Sequence, residues 1–353
     1  MMQKIKCAVL GATGVVGQHF LRLLVDHPYF ELTSICASDA RAGLALGTVK
    51  EQVEGGVPKS FHQMIFDPMD VTGLAAKGVR VAFSALPAEV ADKMEKEAAQ
   101  KGICVFSNAG SYRMDEQVPI LVPEINHAHL QLVKQQKTPG FIVTNANCTT
   151  TGLVMALLPI MPFGIRRIIS ASYQAISGAG YPGLSALDIL GNVIPYIKNE
   201  EPKVRREMAK ICGTLTGVAI QPTDWEIFAH CIRVQTTIGH LISVHIELER
   251  SVTHAEVKQA LVEFKSPSVI AGLPTAPIRP IIFNEEIDRP QPRYDVLLGD
   301  PERARGMAVA IGRLEVEDRV VRLVTLSNNL VRGAAGGSVL NAELALRQGL
   351  LSA

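Results

Sequence analysis

Short apolar runs alternate with amphipathic stretches of helical length through about the first 150 residues, and longer strand-like segments follow. Residues 4–10 are apolar enough for a buried strand. Phe20, Leu21, Leu24 and Val25 then recur at helical spacing until His27-Pro28 stops the pattern. Residues 31–37, 79–87, 102–107 and 141–144 read as further strands, and residues 89–101 as a helix with charge on one side and Ala, Val and Met on the other. Strands alternating with helices predict a parallel sheet. From about residue 150 the pattern changes. Residues 166–177 read as a strand that breaks into Gly178-Ala-Gly-Tyr-Pro-Gly183, and residues 199–211 as a charged helix with Pro202 in its first turn. Residues 229–236 lead into a half-exposed strand over 243–249, where Val244, Ile246 and Leu248 alternate with His245, Glu247 and Glu249. Two more strands, 307–316 and 320–326, precede an apolar helix from Ser338 to about Gln348, expected to return to the first domain. The expectation is an α/β domain over residues 1–147 and 336–353, and an α+β domain over 148–335.

Composition narrows the class. A chain of 353 residues is long enough for two cores, and 47% apolar with 20% charged residues is ordinary for a soluble globular enzyme. Thirty-five basic and 34 acidic residues leave a net charge of +1 with no basic run, which argues against nucleic acid or an anionic membrane as a partner. No apolar run approaches the roughly 18–20 residues of a membrane span and no leader pattern opens the chain, so a cytoplasmic location is expected. Six scattered cysteines without a CxxC pair fit reduced thiols better than a disulfide frame or a zinc site.

Chemistry concentrates at the junctions between elements. Gly11-Ala-Thr-Gly14-Val-Val-Gly17 sits between the first strand and its helix, where glycines let backbone approach a pyrophosphate. After the second strand, Ser38 and Arg41 suit the 2′-phosphate of NADP, whereas Asp39 keeps NAD open. Asn108-Ala-Gly-Ser-Tyr-Arg113 follows another strand end; Arg113 reads either as an anion ligand or as the ion-pair partner of Asp115 or Glu124. In Asn145-Ala-Asn-Cys148-Thr-Thr-Thr-Gly152, Asn147 is a favoured N-cap, which places Cys148 on the first turn of a helix. There the helix dipole favours thiolate, so Cys148 reads either as a nucleophile or as a buried, inert thiol. Glu200, Glu201 and Lys203 read by default as a solvated helix face, His245 as a surface residue, and His240 as the histidine better placed to be a base.

Taken in order, GATGVVG (11–17), FSALP (83–87), SNAGSYRM (107–114), VPEIN (122–126), NANCTTTG (145–152), SYQAISGAGYPG (172–183), Arg233 with Gly239-His240, RPQPR (289–293) and NNLVRGAAGG (328–337) make the chain resemble the archaeal and fungal aspartate-semialdehyde dehydrogenases nearly end to end. The resemblance implies an N-terminal Rossmann NAD(P)-binding domain, a C-terminal mixed-sheet catalytic and dimerisation domain, and a homodimer or homotetramer. It implies NADP-dependent interconversion of L-aspartyl 4-phosphate and L-aspartate 4-semialdehyde through a cysteine thioester. By position, Cys148 is the nucleophile, Gln174 orients the substrate and His240 is the acid–base group. Arg233 binds the substrate carboxylate, Arg113 with Lys203 and Asn108 the phosphate, and Glu200 or Glu201 the ammonium group. Gly11, Thr13, Gly14, Val15, Val16, Gly17, Ser38, Arg41, Ser84, Leu86, Gly178 and Asn329 line the cofactor, and no metal is implied. The expected chemistry has a neighbouring imidazolium hold the thiolate and backbone N–H groups near Cys148 stabilise the oxyanion.

Three departures from the family pattern stand out: Ala146 for proline with Thr149-Thr150 for Ser-Thr, Gln235-Thr236 for Pro-Val, and Leu241-Ile242 for Thr-Glu. All three are expected near the substrate. They keep two other readings open: a reductase of malonyl-CoA or succinyl-CoA, and a dinucleotide-binding paralogue without turnover.

Overall fold

The first unit grows from a parallel sheet. In the computed structural model, which describes residues 3–352, it contains strands β1 (Ile5–Leu10), β2 (Phe30–Cys36), β3 (Phe66–Asp67), β4 (Val81–Ser84), β5 (Cys104–Ser107), β6 (Ile120–Leu121) and β7 (Ile142–Asn145). They run in the order β3-β2-β1-β4-β5-β7-β6, with every pairing parallel. The apolar strands are buried on both faces, as a parallel sheet covered by helices requires. Chain order reverses between β1 and β4, and at that switch point a doubly wound sheet opens a crevice beyond its strand ends. A Rossmann-type sheet is the result.

The chain divides into two compact units: Met1–Ala146 with Leu215–Ala219 and Ala334–Ala353, and Asn147–Thr214 with Ile220–Gly333. A two-stranded hairpin pairs β9 (Thr214–Thr216) with β10 (Ala219–Gln221). The second unit is built on β8 (Ile165–Gln174), β11 (Glu226–Arg233), β12 (His240–Leu248), β13 (Ile281–Phe283), β14 (Val309–Glu317) and β15 (Val320–Ser327). Their order is β11-β8-β12-β15-β14-β13, a mixed sheet with parallel pairs at its two edges and antiparallel pairs between. Helices Cys148–Leu157 and Glu200–Ile211 pack together and cover one face of it. The first of these is buried all round, so it lies inside the unit rather than on its surface.

The opposite face carries the alternate residues. Across β11, β8 and β12 the register aligns Phe228, Ile169 and His245 in one row and Ile232, Tyr173 and Leu241 in another. Phe228 is 54% exposed and Ile169 51%. This leaves apolar side chains exposed on one sheet face.

Candidate active site

Asn147 builds the centre of the second unit. Its backbone is extended, and its Oδ1 accepts from the N–H groups of Thr149 (2.9 Å) and Thr150 (3.2 Å), which starts the helix at Cys148. Its carbonyl accepts from Thr151 through both the N–H and the hydroxyl. The cap therefore already uses the N–H groups of Thr149 and Thr150, the two amides that follow the cysteine.

The sulfur of Cys148 lies 3.2 Å from Nε2 of His240. Nδ1 of the same ring accepts the Ala175 N–H at 3.1 Å, so the proton of the neutral ring sits on Nε2, facing the sulfur. His240 is fully buried, and burial together with the positive charge of Arg233 pushes it down to about 3. The expected imidazolium is thus replaced by a neutral imidazole that donates one hydrogen bond. Desolvation is the larger cause, and the charge of Arg233 acts in the same direction.

Arg233 ends β11 beside Gln174 at the end of β8, and the two residues face each other in register. Its Nη1 donates to the Ala175 carbonyl at 2.6 Å, and burial lowers its pKa against an opposing pull from Cys148 and Glu200. Gln174 is buried and donates to Ser172 Oγ. Gly178 closes over this pair: a Cβ there would come within 2.8 Å of Arg233 Nη1 and 3.2 Å of His240 Cε1. Gly333, in a π-helical turn over Val331–Ala335, packs equally close, with a Cβ position 2.6 Å from that of Cys148. Gly333 escaped the sequence reading because its requirement is a contact with a residue 185 positions away (333 − 148).

The acidic helix differs from a solvated face. Glu200 is buried, and its Oε1 accepts from Asn147 Nδ2 at 2.8 Å, with Lys203 Nζ 3.9 Å from the other oxygen. Glu201 accepts the Cys231 N–H at 3.1 Å. Glu207, absent from the predicted site, accepts the Asn147 N–H at 2.7 Å. Asn329 accepts the Gly239 N–H and donates to Ser177 Oγ, tying the turn before His240 to the glycine-rich loop.

The remaining predicted residues belong to the first unit. Gly11 adopts φ +82° and a Cβ there would meet the Ala85 carbonyl, while one on Gly17 would lie 2.7 Å from Ala12 Cα. Helix Val15–Leu24 follows Gly14 with no capping side chain, which leaves its N-terminus suited to phosphate. Thr13 offers its carbonyl to Gln18 and Gln52, and Val16 lies on the first turn. Ser84 and Leu86 flank the end of β4, and Ser38 and Arg41 are exposed beyond β2. Arg113 donates to the carbonyls of Asn145 (2.9 Å) and Asn108 (2.8 Å), and Asn145 Nδ2 donates to Asn108 Oδ1. Backbone carbonyls at the ends of β5 and β7 thereby fix the guanidinium.

Residues 6–133 match the model of the semialdehyde dehydrogenase NAD-binding domain, and residues 157–332 that of the semialdehyde dehydrogenase dimerisation domain. Aspartate-semialdehyde dehydrogenase of Archaeoglobus fulgidus is 44% identical over 97% of this chain and 98% of its own. The chain belongs to the aspartate-semialdehyde dehydrogenase family. A crystal structure of the Candida albicans aspartate-semialdehyde dehydrogenase with NADP superposes with a TM-score of 0.88 at 33% identity, covering 98% of this chain and 100% of that one. A malonyl-CoA reductase (NADP) of Metallosphaera sedula is 35% identical over 99% of both chains. Within this dehydrogenase fold, one of the three departures, Leu241-Ile242, falls on β12. Ile242 is buried near the Cβ position of Gly152 on the Cys148 helix, and Leu241 is half-buried in the adjacent position of β12. They are packing residues of the strand that carries His240.

Proposed function

We propose that the chain is an NADP-dependent aspartate-semialdehyde dehydrogenase that interconverts L-aspartyl 4-phosphate and L-aspartate 4-semialdehyde. The observation that carries the reading is the Cys148 sulfur on the first turn of a capped helix, 3.2 Å from a neutral His240 that donates toward it. A thiolate held there attacks the acyl carbon, the carbon–oxygen bond to phosphate breaks, and a thioester forms on Cys148. When bound, NADPH supplies the hydride that reduces this thioester. The carbon–sulfur bond then breaks, releasing the aldehyde and restoring the thiolate, while the proton of the overall reaction is carried by phosphate.

In this reading His240 shifts its Nε2–H from the sulfur to the oxyanion of each tetrahedral state. A neutral donor suits that task because it stabilises the charge without trapping it by full proton transfer. Arg233 takes the substrate carboxylate and Gln174 orients the acyl group, both at the adjoining ends of β11 and β8. Glu200 or Glu201 is assigned the ammonium group; each keeps a second carboxylate oxygen beyond the one that holds Asn147 or the Cys231 N–H. Arg113, with Asn108 and Lys203, is assigned the phosphate, for which a planar fork is apt.

The first unit fits a dinucleotide: the close glycine turn and the uncapped helix would hold the pyrophosphate, and Ser38 with Arg41 the 2′-phosphate. Asp39 beside them is the feature that would admit NAD. The open sheet face of Phe228, Ile169 and Tyr173 supports a homo-oligomer, either a homodimer or a homotetramer. A cytoplasmic location agrees with the finding that, among the described residues, no helix is long and apolar enough to cross a membrane.

The second reading, an acyl-CoA reductase, is favoured by the 35% identical malonyl-CoA reductase. Both reactions share the thioester, so substrate decides. NADP⁺ reduction with aspartate semialdehyde and phosphate is expected for the wild type and abolished in Cys148→Ala. A folded wild type that requires CoA and malonate semialdehyde instead would replace the first reading with the second.

A further inference from the structure

We propose that Glu207 is a positioning residue for the nucleophile, acting through the peptide group of Asn147. This inference rests on the reading of Cys148 as the nucleophile.

Glu200 and Glu207 are seven residues apart on helix Glu200–Ile211. Seven residues make nearly two turns, so both carboxylates fall on one face, about 10 Å apart along the axis. Both are buried, at 7% and 3% exposure. They grip Asn147 from two sides: Glu207 Oε2 takes its backbone N–H at 2.7 Å, and Glu200 Oε1 takes its side-chain N–H at 2.8 Å. The remaining groups of Asn147 start the Cys148 helix. Placing two carboxylates in a buried site costs desolvation, and the hydrogen bonds to one residue offset it.

Glu200 restrains only the cap side chain. Glu207 restrains the peptide plane directly before Cys148, and therefore the direction in which the cysteine leaves the chain. A small error there turns the sulfur away from His240 Nε2, and a misplacement of about 1 Å is enough to cost on the order of a hundredfold in rate. What Glu207 contributes is an acceptor oxygen at a fixed distance. Its charge is incidental, because a glutamine offers the same oxygen on a side chain of the same length.

The test is the rate at which iodoacetamide alkylates Cys148 at pH 7, located by mass spectrometry, alongside kcat and KM. The other thiols provide a silent background: burial pushes Cys36 and Cys212 up to about 12 and Cys104 and Cys231 up to about 11, and raises Cys7 as well. Glu207→Ala is expected to slow alkylation about fivefold or more and to lower kcat about tenfold or more, with KM for NADP⁺ within about twofold. Glu207→Gln should stay near the wild type, and Glu207→Asp, which keeps the charge but is one carbon too short, should behave like the alanine variant. Wild-type alkylation and kcat in folded Glu207→Ala would overturn the proposal. So would the reverse order, with aspartate active and glutamine not; that pair decides the point even if the alanine variant does not fold. Should the wild type alkylate but fail to turn over aspartate semialdehyde, the substrate assignment fails while the alkylation series still judges Glu207.

Discussion

At the scale of the residue, the informative group is His240. Its ring is fully buried, accepts from a backbone amide on one side and faces sulfur on the other. The unfolded ring titrates near 6.5 and the folded one at about 3, so between those values the unfolded state binds more protons. That contribution to stability is present in full above about pH 6.5 and is lost as the pH falls toward 3. Nitrogen-15 spectra of labelled histidine should therefore show His240 as the neutral Nε2–H form across pH 5–8. An imidazolium transition near 6.5 at this residue would contradict the geometry. Cys148 and His240 stood out in the sequence by residue type and local context, and Gln174 and Arg233 by the family resemblance; the structure sets Cys148 against His240 and Arg233 in register with Gln174. The protonation state of His240 was not legible there, because it depends on the Ala175 amide and the Arg233 charge, which folding brings to it.

Elements show the same division. The helix after Asn147 was predictable to its first residue, since an N-cap works through local hydrogen bonds. Helix His254–Val262 went unrecognised although its signal was present: Thr253 and Glu256 form a capping box, with Thr253 Oγ1 accepting the Glu256 N–H and Glu256 Oε2 accepting the Thr253 N–H. Only two of its nine residues are buried, so its apolar period is weak. Thr253→Ala is expected to cost about 0.5–2 kcal/mol, read as a lower midpoint in reversible unfolding with turnover unchanged. An unchanged midpoint would mean that the box contributes nothing to this helix. Short strands such as β3, β6 and β13 were missed for a different reason, because two or three residues carry no period.

For the whole molecule, the sheet of the second unit has one face covered by helices and one left apolar and open. Phe228 and Ile169 lie side by side at its β11–β8 edge. Phe228→Glu with Ile169→Glu should convert the proposed homodimer to monomers in sedimentation velocity, because a charge would have to be buried at each copy. A wild-type sedimentation coefficient in the double variant would place the interface elsewhere.

The sequence by itself determined the βα alternation, the glycine turn, the capped cysteine and the residues able to do acyl chemistry, since each is written in local spacing and side-chain type. Only the tertiary structure decided how they work together. Glu207 reaches the Asn147 amide through a helix that begins more than fifty residues later, and Gly333 is small because Cys148 lies against it. The neutral state of His240 follows from burial beside Arg233. The physical reason is common to all three: close approach and desolvation are properties of packed neighbours, and the chain acquires those neighbours only on folding.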